Sequence, residues 1–201
     1  MSELIVLQAV RLKGRVSEAD LAATVGEDPA DVAATVAQLV AAGLLVEGKM
    51  LRISPEGRER LNALLTEERS GIDQTVLAKS YDDFRAVNNA FKALVSDWQL
   101  KDGQPNAHDD AEYDAAVLNR LDSVHQQVSP IVATVTTLLP RLSAYGKKLD
   151  AALVKVKDGD TTWLARPIID SYHTVWFELH EELIAASGLT REEEARAGHA
   201  T

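Results

Sequence analysis

The chain has 201 residues, with 21 Lys and Arg against 31 Asp and Glu, and a formal net charge of −10. That balance disfavours a general nucleic-acid coat, which needs clustered cations, but it leaves room for a small DNA reader beside an acidic second domain. Cysteine is absent, which excludes disulfides, thiolate chemistry and a Cys zinc site.

The opening "MSELIVLQAVRLKGR" carries its charges after a short apolar run, so no signal peptide is expected. No stretch approaches 18 uninterrupted apolar residues, so no membrane span is expected either, and a cytoplasmic protein is the default. Residues 3 to 13 repeat apolar positions at helical spacing, with Ile5, Val6, Val10 and Leu12 on one face. Ser17 caps a short second helix with Asp20 three residues on, and Gly26 ends it. Asp28 and Pro29 start a third helix, as cap and first position, with Val32, Val36, Leu39 and Val40 as its buried stripe. In "LLVEGKMLRIS" two apolar runs flank Glu47-Gly48, which reads as a hairpin with a bare two-residue turn. Ser54 and Pro55 then open a fourth helix.

This order of helices and hairpin within about 65 residues predicts a winged helix-turn-helix. The segments "LAATVGEDPADVAATVAQLVAAGLL" and "LRISPEGRERL" resemble the compact winged domains of MarR-like bacterial regulators. The resemblance implies a DNA-binding, dimeric regulator. It is incomplete at the wing, which lacks the longer basic loop and its Asp-x-Arg. Through position 66 the domain holds seven basic and nine acidic residues. On a wheel of 100° per residue, the third helix turns Ala30, Asp31, Ala34, Ala37, Gln38 and Ala41 outward, with Thr35 on the flank. Gln38 suits adenine, and Thr35 a phosphate or a thymine methyl, but nothing there grips guanine. Lys49, Arg52, Arg58 and Arg60 are the candidate phosphate contacts. Two readings stay open: a weak or effector-dependent DNA reader, and a winged fold whose Ala-rich helix packs on a partner protein.

From residue 71 to 201 no strand signal is read, and five or six helices form a bundle. Tyr81, Phe84, Asn88, Phe91 and Val95 share one face of the first of them. "KDGQPNAHDD" reads as a loop, and the acids of "HDDAEYD" as a helix start rather than a metal site. Ser129-Pro130 reads as a new helix start, and Pro140 as a kink or restart. "ARPIIDSYHTVWFELHEELIAASG" reads as one long helix that begins near Pro167 and stops at Gly188. Its buried stripe is Ile168, Ile169, Tyr172, Val175, Trp176, Leu179 and Leu183, with Asp170, Glu178 and Glu181 on the polar side. Thr190 and Glu193 cap a short last helix.

His173 and His180 sit on one edge of the long helix beside Phe177. Two turns separate them, roughly 10 Å, too far for both to hold one metal at about 2 Å each. The bland alternative is a pair of boundary histidines bonded to neighbouring helices. Asn88 on its apolar face is either a satisfied structural amide or part of a ligand cavity. Asn88, His173, Phe177 and His180 are therefore the candidate ligand site, for a small anionic or aromatic molecule. No phosphate loop, nucleophile elbow, zinc or calcium motif is present, and neither catalysis nor a cofactor is expected.

The phrases "FKALVSDWQL", "YDAAVLNRLDSVH", "PRLSAYGKKLDAAL" and "RPIIDSYHTVWFELHEELI" resemble a helical region of bacterial proteins linked to phosphoenolpyruvate-utilising, pyruvate phosphate dikinase-like enzymes. That resemblance implies an accessory or docking module and carries no catalytic residue. The leading expectation is a winged-helix transcriptional regulator (residues 1–70) with a dimerising or ligand-sensing helical bundle (residues 71–201). The alternative is a protein-interaction module of a phosphoenolpyruvate-utilising enzyme.

Overall fold

The computed structural model describes residues 1–199, which form two compact units divided between Gly71 and Ile72. The chain is mainly helical. In the first unit the order is α1 (Glu3–Lys13), α2 (Glu18–Val25), α3 (Pro29–Ala41), β1 (Leu45–Val46), β2 (Arg52–Ile53) and α4 (Pro55–Ser70). This is the winged helix-turn-helix order. Three side chains start the helices as the sequence suggests: Ser17 accepts from the Asp20 N–H, Asp28 from Ala30 and Ser54 from Gly57. The core gathers Val6, Leu7, Val10, Leu21, Val32, Val36, Leu39, Leu45 and Leu61, all buried.

The wing differs from expectation. Leu45 pairs with Ile53 and Val46 with Arg52, so five residues, 47–51, connect the strands instead of a two-residue turn. Leu51 also bridges Val16, whose N–H donates to its carbonyl at 3.3 Å. Burial of Val16 and Leu51 draws the apolar run out of the turn and into the core.

Ser54 fastens α3 to α4. Its hydroxyl donates to the Gly43 carbonyl at 2.7 Å and accepts from Gly57 N at 2.8 Å. Gly57 has a second duty. A Cβ built there would lie 2.0 Å from the Leu44 carbonyl oxygen and 2.9 Å from Ile53 Cγ1. The helix can approach the β1 entry only because position 57 has no side chain.

The second unit contains α5 (Gln74–Gln99), β3 (Leu100–Lys101), β4 (Gln104–Pro105), α6 (Ala111–Leu138), a 3-10 turn (Pro140–Leu142), α7 (Ser143–Lys157), α8 (Thr162–Ala165), α9 (Tyr172–Ala186) and α10 (Arg191–Arg196). The long helices α5 and α6 pack along each other, and α7 packs on α6 and α9. The face of α5 assigned from spacing is the buried one: Tyr81, Phe84, Asn88, Phe91 and Val95 are all at most 7% exposed. Thr190 and Glu193 form the expected reciprocal cap of α10.

Three expectations change. The stretch read as a loop begins with a small hairpin, whose Asp102 and Gly103 both have positive φ (52° and 75°), the signature of a tight Asp-Gly turn. Pro130 does not start a helix but lies inside α6. It sits on the exposed side, so the Gln126 carbonyl it leaves free faces water, while Val124, Val128, Val132 and Val135 keep the helix packed. Finally, α9 begins at Tyr172, not near Pro167. Arg166, which precedes the proline, is extended (φ −64°, ψ 125°) and ends α8. Ser171 then caps α9 by accepting from Thr174 N. Ile168 leaves the buried stripe altogether: it is 98% exposed, at φ 79°.

Gly57→Ala is expected to cost about 1–3 kcal/mol or more, because the added methyl meets backbone. Gly71→Ala, where a Cβ meets only an ordinary contact at 3.6 Å, is expected to be near neutral. Chemical denaturation of the two variants checks the contrast.

Candidate functional site

In the first unit the exposed face of α3 is Ala30, Asp31, Ala34, Ala37, Gln38 and Ala41, as the wheel places it. Thr35 is not available to DNA. It is buried, and its hydroxyl donates to the Asp31 carbonyl at 2.9 Å. Its branched side chain fills the flank of the apolar stripe. Arg60 is also occupied: its Nε and Nη2 hold the Glu3 carboxylate at 3.1 and 2.9 Å, clamping α4 to α1. Lys49, Arg52 and Arg58 are exposed and, among the described residues, make no ion pair. Arg15 joins them. The Val16–Leu51 bridge sets Arg15 beside Arg52 across antiparallel strands, and both are exposed. Spacing along the chain gives no sign of that pair, since it exists only through the bridge.

In the second unit a cavity of about 380 Å³ brings together all four residues assigned to a ligand site: Asn88 from α5 and His173, Phe177 and His180 from α9. The last segment of the chain adds Arg191 and His199 to its wall. Lys92, one turn beyond Asn88, lines it as well. Lys92 was missed from the sequence, although its four-residue spacing from Asn88 is a signal that points to it. Arg191 and His199 were not legible, because they reach the cavity through tertiary packing of α10.

Asn88 and His180 are held in place. Asn88 Oδ1 accepts from Trp176 Nε1 at 2.8 Å, and its Nδ2 donates to the His199 carbonyl at 3.1 Å. Behind the wall, Tyr81 donates to the buried Glu194 carboxylate at 2.7 Å, and the Arg85 guanidinium grips the same carboxylate. The single Tyr81 proton is thus committed. His180 Nε2, 3.1 Å from the Tyr81 oxygen, must be the donor there. His180 therefore carries its proton on Nε2. Burial, helped by the Arg191 charge, pushes its pKa down to about 4. Burial also lowers that of His173. His180 is a neutral wall at pH 7, and His173, on the exposed side of α9, is shifted toward its neutral form. The aromatic floor is closely packed: Phe91 and Trp176 lie with centroids 4.4 Å apart, and the Arg191 guanidinium covers the Phe177 ring at 4.7 Å.

The side of α9 expected to face water does not. Glu178, Glu181 and Glu182 are all buried, at 3%, 8% and 3% exposure, and Asp170 is half-buried against Lys148 at 2.9 Å. Partners make this tolerable. Arg141 pairs with Glu182, Tyr145 donates to the same carboxylate at 3.3 Å, and Arg191 pairs with Glu181. The Tyr145 hydroxyl is pushed well up by burial and by the Glu182 charge. In the "HDDAEYD" stretch two of the four acids are likewise committed: Asp110 caps α6 and binds Lys101, and Asp114 binds His108 and Asn106.

No family model, curated protein or solved structure matches this chain. The assignment of function therefore stands on these two surfaces.

Two outcomes follow from the network. Asn88→Ala strands the Trp176 N–H and the His199 carbonyl and is expected to cost about 1–3 kcal/mol in denaturant melts. His180 binds its proton more weakly folded than unfolded. Its contribution to stability is complete above about pH 6.5 and is lost as the pH falls toward about 4. His180→Gln should flatten that part of the stability–pH curve relative to the unsubstituted protein.

Proposed function

We propose that this protein is a transcription-regulator-type DNA binder whose winged unit grips the phosphate backbone and whose helical unit serves as an effector domain. The observation that carries the reading is the set of exposed, unpaired cations Arg15, Lys49, Arg52 and Arg58 on a winged helix-turn-helix unit of a protein with charge −10. An acidic protein that leaves cations unneutralised around its wing presents a local surface for phosphate. The exposed face of α3 supports positioning more than reading. Gln38 is its one base-reading side chain, and Asp31 at its start repels phosphate. Binding is thus expected to be weakly sequence-dependent and steeply salt-dependent. The dimer implied by the MarR-like resemblance belongs to the same proposal, and sedimentation of the DNA-free protein reads it directly.

One observation favours a second reading. Ala30, Ala34, Ala37 and Ala41 line the exposed side of α3, and such small side chains admit another helix closely. On that reading the winged unit docks onto a partner protein, as the resemblance to regions linked to phosphoenolpyruvate-utilising enzymes implies.

The test is titration of mixed-sequence duplex DNA over a range of salt. Arg52→Ala should weaken binding to all sequences alike and flatten the logarithmic salt slope by about one unit. Joint replacement of Arg15, Lys49, Arg52 and Arg58 should abolish binding. Binding that survives all four changes, or its absence in the unsubstituted protein, would remove the DNA reading and leave the docking one.

A further inference from the structure

Charge and shape in the helical unit's cavity specify a ligand class. No carboxylate lines the cavity among the described residues, although the chain carries 31 Asp and Glu. A cation would meet nothing to offset it there. The lining holds two permanent cations, and they differ. Arg191 is already committed to Glu181 and lies over the Phe177 ring. Lys92 is half-buried and has no ion-pair partner among the described residues. Among the described lining residues Lys92 is thus the permanent cation that no opposite charge meets. The rest of the lining sets the aromatic side chains Phe91, Trp176 and Phe177 beside the polar Asn88, Ser96 and Gln99. The volume of about 380 Å³ lies at the small end of the range for ligand pockets, roughly 300–1,000 Å³.

We propose that this cavity binds a small aromatic monocarboxylate, with Lys92 as its ion-pair partner and the Trp176–Phe177 wall against its ring. The count of charge sets the ligand's valence: one unpaired ammonium suits one carboxylate, and a dianion would keep a charge unmet. A metal does not fit, because among the described residues no three ligating side chains gather there and His173 lies two turns from His180. The C-terminal segment closes one side of the site through Arg191 and His199. Occupancy therefore bears on how firmly α10 is held. This assignment deepens the reading of the helical unit as an effector domain and rests on it for regulatory meaning only.

The experiment uses the full chain, labelled at its three tryptophans, and follows the indole N–H resonances as benzoate is added. Benzamide, of matching shape but neutral, is the paired probe. The Trp176 resonance should move saturably with benzoate while that of Trp163, on α8, stays fixed. Benzamide should bind at least tenfold more weakly. Lys92→Met, which keeps the apolar stem, should weaken benzoate at least tenfold and remove its advantage over benzamide. Lys79→Met, on the exposed side of α5 and paired with Asp83, should leave benzoate affinity unchanged. No saturable shift with benzoate, equal affinity for benzoate and benzamide, or equal benzoate affinity in the native protein and Lys92→Met would each overturn the proposal. The titration contains no DNA. A protein that takes benzoate but ignores duplex fails only the regulator reading, and one that binds duplex but ignores benzoate fails only this one.

Discussion

The second unit's site depends on one buried carboxylate. Glu194 is 3% exposed, and a charge so far from water survives only if it is hydrogen-bonded and opposed. Arg85 and Tyr81 do both, and burial of the pair ties α10 to α5. Everything at the cavity mouth inherits that tie. With α10 docked, Arg191 reaches Glu181 and the Phe177 ring, and the His199 carbonyl reaches Asn88. With the Tyr81 proton given to Glu194, the His180 tautomer is decided, which in turn decides what α9 shows to a ligand. Hydrogen-bond direction runs from His180 to Tyr81 to Glu194, and it cannot reverse while the carboxylate is ionised.

The winged unit spends its charges differently. Arg60 reaches across the surface to Glu3 and links α4 to α1, so one of the four cations that spacing nominates is taken up within the fold. Arg15 takes a place beside Arg52 that the linear order conceals. Two exposed like charges at opposed positions beside an antiparallel bridge repel unless an anion lies between them. The small core tolerates this because its apolar side is well filled, from Val6 and Val10 on α1 to Leu61 on α4.

Much of this was legible in the sequence wherever a local rule and the tertiary packing agree. The caps Ser17, Asp28, Ser54 and Thr190 need only their own next turn, and each acts where it stands. The α5 face and the cavity residues Asn88, His173, Phe177 and His180 follow from the 3.6-residue period. Reading failed where two local signals compete. Pro167 suggests a helix start, but its effect on Arg166 ends one helix while Ser171 opens the next. Pro130 suggests a break, but an exposed carbonyl and a buried valine stripe carry α6 past it. It failed also for Glu181 and Glu182, since burial of each carboxylate depends on an arginine that arrives from another element.

Ile168 belongs to neither unit's core. A branched side chain at φ 79° is held in a conformation that costs about 1–3 kcal/mol, and at 98% exposure it gains nothing back from burial. The turn's shape is imposed from its ends, by the proline at 167 and the serine cap at 171. Position 168 is therefore a passenger in its own loop. Over evolutionary time such a site should drift toward glycine or asparagine unless something outside the fold selects for isoleucine, so the identity of this residue across descendants is a record of whether that surface is used.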